Sequence, residues 1–261
     1  MWRRDFTRDE YEKLMAAIAA AGMAGLSVRD YIRLRDAGQL PPRFCILRHD
    51  VDANPKNAVA MARVDAGFGF SSTFYFRVKP GLCGAAEVGA VGAAGHEIGY
   101  HYEVMSDADG DPIRARALFE DGLSTLRRIA PITTACMHGR PLSRHDNRDF
   151  WKHWRLEEFG LVAEPYLSID YADMLYFSDS GMLWDNGAFN VRDVVAALPP
   201  PRVETTGDLI RVIASGRHPR IALLAHTDNW VNDRTLWLWY KTFNLAANAA
   251  KFVKRRVLHG R

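Results

Sequence analysis

Residues 43–52 read RFCILRHDVD. Apolar and β-forming residues run as far as Leu47, and the stretch then ends in a histidine and two aspartates one residue apart. Side chains alternate along a strand, so Asp50 and Asp52 share one face while His49 and Val51 share the other. Two carboxylates on one face repel each other, and burying them costs several kcal/mol unless a positive group sits beside or between them. The strand therefore asks for a cation at its carboxyl end.

Working outward, strand-like and helix-like stretches alternate. Thr7 followed by Glu10 predicts a capped helix over 7–21, a second short helix over about 27–37 ends at Gly38, and Pro41-Pro42 breaks the chain before the first strand. Beyond it come a helix begun near Asn54-Pro55, a strand over 71–78, a Gly/Ala-rich segment and a strand over 96–101. A helix over about 111–129 and a strand over 133–139 follow. LVAEPYLSID and MLYFSDSG predict two shorter strands, 205–216 a helix, and 220–226 a last apolar strand. Near-continuous hydrophobicity in strands that alternate with helices predicts a parallel sheet covered on both sides, hence an α/β barrel or distorted barrel in a single domain. The polar exceptions fall at strand ends: Asp50 with Asp52, His101 with Glu103, His138 with Arg140, and His226 with Asp228. In parallel barrels those ends form the rim of the active site.

The composition agrees. A chain of 261 residues, 48% apolar and 25% charged with net charge +3, is an ordinary globular chain whose charge gives no argument for nucleic acid. Cys45, Cys83 and Cys136 are too few and scattered for a disulfide framework and predict reduced thiols in a cytoplasmic protein. The N-terminus mixes charges of both signs and has no signal-peptide pattern, and no apolar run reaches the roughly 18 residues of a membrane span.

Taken in order, LRHDVD, GHEIGYHYE, MHGRPLS, SDSGMLW and LLAHTDNW resemble the motifs of the polysaccharide deacetylase family, the carbohydrate esterases with the NodB homology domain. The likeness is nearer to a divergent branch associated with bacterial surface-polysaccharide biosynthesis, including lipopolysaccharide. It spans roughly residues 43–230, which leaves 1–42 as an N-terminal helical extension and 231–261 as a C-terminal helix with a basic tail. The resemblance implies an irregular (β/α) barrel and one divalent metal ion, most commonly zinc, used to hydrolyse the N-acetyl group of an amino sugar.

Residue by residue, it implies Asp50 as catalytic base and Asp52 as a metal ligand, although the family has these two adjacent where Val51 intervenes here. His101 matches the first metal-binding histidine, whereas the second falls on Met105, a poor ligand for such an ion. His138, Glu103 and His96 are the candidates for the third ligand, with His138 preferred at the tip of the next strand. Arg140 matches the arginine that orients the base. Asp179 and Trp184 match the residues that tune the acid and wall the pocket, and His226 matches the general acid. Tyr100, Tyr102, Trp184 and Trp230 are either sugar-stacking aromatics or core.

The expected partner is an N-acylated sugar, nucleotide-linked or lipid-linked, with a possible peripheral membrane contact through the basic C-terminus. Two other readings stay open at this level: hydrolysis of a non-sugar C–N bond, and a non-catalytic glycan-binding protein that has lost full metal affinity, for which Met105 is the argument.

Overall fold

The computed structural model describes residues 4–140, 143–184 and 192–259, with side chains through residue 249. In chain order the elements are α1 (Arg8–Ala20), β1 (Ala24–Leu26), α2 (Val28–Asp36), β2 (Phe44–Val51), α3 (Pro55–Gly67), β3 (Thr73–Phe76), α4 (Ala85–Ala93) and β4 (Glu97–Tyr102). Then follow α5 (Val104–Asp107), α6 (Pro112–Arg127), β5 (Ala135–Met137), α7 (Pro165–Ser168), β6 (Leu175–Ser178), α8 (Thr206–Ala214), β7 (Arg220–His226) and α9 (Arg234–His259).

All strands are parallel, in the order β5-β4-β3-β2-β7-β6. β2 is the longest and most central strand, buried along its whole length. One of its edges pairs with β7; the other pairs first with β1, along Phe44–Ile46, and then with β3, along Arg48–Val51. The sheet is an open half-barrel rather than a full barrel, because among the described residues β5 and β6 do not pair. Among the described residues the chain between them is spent on 3-10 turns at Asn147–Lys152 and Leu156–Phe159 and on the short α7, with a single bridge from Thr134 to Ala163.

Three local expectations change. LVAEPYLSID is not a strand: Pro165 begins α7 and Glu164 caps it, its side chain accepting from the Tyr166 N–H at 2.8 Å. The Gly/Ala-rich segment forms α4, which buries Val88 and Val91 three residues apart. Residues 24–26 form the short β1, which joins the sheet while α1 packs on α3 and α8.

Alternation along β2 sorts its neighbours. Cys45, Leu47 and Val51 join the core beneath α1, α3, α4 and α8, whereas Phe44 and Ile46 meet Tyr75, Cys136 and Ala222 on the inner face. α2 closes the N-terminal end of that interior. There the Val28 N–H donates to Thr73 Oγ1 at 2.7 Å, and the Arg29 N–H to Glu97 Oε2 at 2.9 Å. Gly99 is required on β4, since a Cβ there would stand 2.2 Å from the ring of the buried Tyr75. With the N-terminal end filled, the interior opens only at the carboxyl ends of the strands.

Candidate active site

The open end holds a cavity of about 940 Å³, walled by Asp50, Asp52, His101, His138, His226 and Asp228 among others. Register explains the convergence. Asp50 on β2 lies directly beside His226 on β7; His101 comes from β4, and His138 follows the end of β5.

Asp50 is 2% exposed and clasped by a guanidinium, with Arg48 Nε donating to Oδ1 at 3.0 Å and Nη2 to Oδ2 at 2.7 Å. Burial opposes ionisation of Asp50, but the charge and hydrogen bonds of Arg48, with the charge of His226 beyond, outweigh it and hold the carboxyl below its ordinary range. Arg48 sits two residues back on the same strand face, and its guanidinium lies 4.7 Å from the Tyr166 ring centroid. The arginine that clasps Asp50 is thus Arg48, and not Arg140. Arg140 lines the cavity wall and bonds Asp107 at 2.6 Å, 3.6 Å from Glu103. The parity argument applied to Asp50 and Asp52 would have found Arg48 as well.

Asp52, His101 and His138 form one cluster of potential ligand atoms. His101 Nδ1–H donates to the Cys136 carbonyl at 3.0 Å and His138 Nδ1–H to Glu103 Oε2 at 2.9 Å, which turns both Nε2 lone pairs inward. Those nitrogens lie 3.5 and 3.7 Å from Asp52 Oδ1, a buried oxygen that accepts no hydrogen bond. Ligand atoms about 2.0–2.1 Å from a tetrahedral ion stand about 3.3 Å apart, so the three atoms are spaced to share one cation, with the cavity side open. This set fits a divalent metal. Asp50, His101 and Cys136 also lie together, but Asp50 is held by Arg48 and burial drives the Cys136 thiol far above its ordinary range.

The other third-ligand candidates sit elsewhere. Glu103 stands behind His138, fixed by Arg77 at 2.7 Å and Lys79 at 3.1 Å. His96 bonds the Ala62 carbonyl at 2.7 Å and the Ser72 N–H at 3.3 Å. Met105 is buried in the core.

On the opposite wall, His226 Nδ1–H donates to Asp179 Oδ1 at 2.6 Å. Asp179 is fully buried and also accepts from the His226 backbone N–H at 2.9 Å and from Trp230 Nε1 at 2.7 Å. Burial alone would lower the pKa of His226, but the adjacent Asp179 carboxylate, with Asp52 and Asp50 beyond, raises it to about 10. The imidazole is therefore cationic at neutral pH, with an Nε2 proton to give. Asp228 was noted in the sequence only as a neighbour of His226. Here it lines the cavity, its buried Oδ1 takes no hydrogen bond, and burial with the charge of Asp52 pushes it up to about 7.

Of the two readings open for the four aromatics in the sequence, their burial selects the core. Tyr100, Tyr102, Trp184 and Trp230 are all buried in the core, with Trp184 stacked on Phe6 at 5.6 Å. Tyr166, Tyr240 and Phe243 line the cavity.

The fold is a single α/β domain built on a parallel, half-open sheet. Among solved structures it is similar to a Streptococcus pyogenes deacetylase, PplD, determined in complex with acetate: the TM-score is 0.52 at 11% identity, covering 81% of this chain and 89% of that one. No family model and no curated protein sequence matches the chain.

Proposed function

We propose that this protein is a divalent-metal-dependent hydrolase that removes an N-acyl group, N-acetyl in the first instance, from an amino sugar during assembly of a bacterial surface glycan. The observation that carries this reading is the buried, unpartnered Asp52 Oδ1 facing two inward-turned imidazole nitrogens on a cavity that also holds Asp50 and His226. The fold it shares with the deacetylase PplD supports it.

Asp52, His101 and His138 would hold the ion, with zinc the expectation from the donor set. When bound, such an ion supplies Lewis-acid polarisation of the acyl carbonyl and a more acidic water. The chain's own groups do the rest. Asp50 is kept ionised by Arg48 and accepts the proton of the attacking water as its oxygen bonds to the acyl carbon. His226, kept protonated by Asp179, gives its Nε2 proton to the amine nitrogen as the C–N bond breaks. Acetate and the free amine leave. An amide nitrogen is a poor leaving group unprotonated, so the pairing of His226 with Asp179 is essential to the reaction.

The substrate we expect is an N-acylated sugar on a nucleotide or lipid carrier. Free Cys45, Cys83 and Cys136 suit a reducing, cytoplasmic compartment. The test is to purify the protein, measure bound metal, and assay acetate release from N-acetylated nucleotide sugars and lipid-linked sugars. Stoichiometric metal with acetate release is the expected result. A protein that binds no divalent ion and releases no acetate from either class would overturn the reading.

A further inference from the structure

Helix α9 carries large apolar side chains on its outward side as well as on the side that meets the domain. The side it turns to the domain packs Trp237 and Tyr240 against the core and adds polar contacts: Trp237 Nε1 donates to the Asp5 carbonyl at 2.7 Å, Lys241 Nζ to the Met182 carbonyl at 3.3 Å, and Asn248 Nδ2 to the Gly181 carbonyl at 3.0 Å. The side it turns outward carries Leu238, Trp239, Phe243 and Leu245, each between 56% and 66% exposed. Among the described residues, these four of the ten exposed large apolar side chains fall within eight residues of one helix, while the others are scattered. Single exposed apolar residues need no explanation, but a contiguous patch marks a surface that something covers.

We propose that this face docks on an anionic lipid surface and that the enzyme takes a lipid-linked acyl sugar from it. Three observations select a bilayer as the occupant. The patch combines Trp and Phe with Leu, the composition of helices that lie in the membrane interface. The same helix continues through Lys251, Lys254, Arg255 and Arg256, four cations in six residues, which complement acidic headgroups. Finally, Tyr240, Asn244 and Ala247 of this helix line the catalytic cavity and the exposed Phe243 belongs to both the cavity lining and the outer patch, so docking α9 brings the cavity mouth to the lipid surface. A modest apolar face with a short cationic run gives reversible binding rather than permanent anchoring. Among the described residues no helix is long and apolar enough to cross a membrane. The choice of a lipid-linked substrate rests on the deacetylase reading above; the docking itself does not.

The test is vesicle flotation of the full chain, which reads binding without turnover. Vesicles are phosphatidylcholine alone or an equal mixture with phosphatidylglycerol. The wild-type chain is expected to float with the mixed vesicles and to bind neutral ones far more weakly. Combined Leu238→Gln, Trp239→Gln and Leu245→Gln should cut mixed-vesicle binding at least about tenfold while leaving circular dichroism and acetate release from a water-soluble substrate unchanged. Lys254→Gln with Arg255→Gln should weaken binding to the anionic vesicles about 25-fold and to neutral ones little. The proposal is overturned if the wild type does not float, if the triple variant floats equally well, or if ultracentrifugation without lipid shows a dimer that the triple variant abolishes. Flotation without any acetate release would leave the docking intact and remove the catalytic reading instead.

Discussion

Asp179→Asn tests the assignment of the acid. The carboxylate lies 2.6 Å from His226 Nδ1, and the histidine is raised from 6.5 to about 10. Three and a half decades at about 1.4 kcal/mol each is on the order of 5 kcal/mol favouring the imidazolium, net of its burial. Asparagine keeps the shape and one acceptor for Trp230 or the backbone N–H, but it loses the charge. Burial then acts unopposed by its main counterweight, and His226 should be neutral at pH 7–8. Acetate release should fall by 10²–10⁴, roughly the contribution of a positioned general acid, while bound metal stays unchanged.

The pH profile separates this from a general structural defect. A group raised in the folded state contributes stability that is fully present below its unfolded value near 6.5 and lost as pH rises through its folded value near 10. Wild-type stability to urea should therefore decline between those limits, and the Asn variant should show a much flatter profile there. Titration of the His226 imidazole by nitrogen NMR reads the same quantity directly. A variant whose histidine still titrates near 10, or that keeps wild-type turnover at pH 8, would refute the reasoning.

Four other outcomes follow from the same geometry. Asp52→Ala should lose both bound metal and turnover, whereas Asp50→Asn should keep metal and lose turnover; equal metal loss in the two, measured by plasma emission, contradicts the division of roles. Glu103→Gln should weaken metal affinity about 10–100-fold through His138, and a competition titration with a chelator that shows no change would remove Glu103 from the site. Arg48→Met leaves Asp50 buried without its counter-ion and should cost about 3–5 kcal/mol, read from urea unfolding against wild type. Gly99→Ala forces a methyl into the Tyr75 ring and should cost about 1–3 kcal/mol or more; a neutral result would mean that the ring has room to move.

Legibility in the sequence followed the range of the interactions. β2, β4 and β7 were readable because a buried strand needs only its own apolar run, and the carboxylates and histidines at their ends broke that run visibly. Residues 85–93 were not read as α4 because glycine weakens a helical pattern, and packing of Val88 and Val91 supplies what propensity lacks. Residues 161–170 alternated like a strand, yet the Glu164 cap and Pro165 made a helical turn there instead. Arg48 is hidden in the sequence because LRH reads as part of the apolar strand, although its partner Asp50 stands two residues on.

What the chain alone determined is the set of groups and the faces they occupy: parity along a strand is a property of covalent geometry, so Asp50 and Asp52 had to share a side wherever β2 was placed. Tertiary structure decided which groups meet. The β2–β7 register set His226 beside Asp50, the carbonyl of Cys136 and the carboxylate of Glu103 turned two imidazoles toward Asp52, and the unpaired β5 and β6 left the barrel half open. Those outcomes depend on contacts between residues tens of positions apart, whose free energies are settled by packing the whole sheet at once.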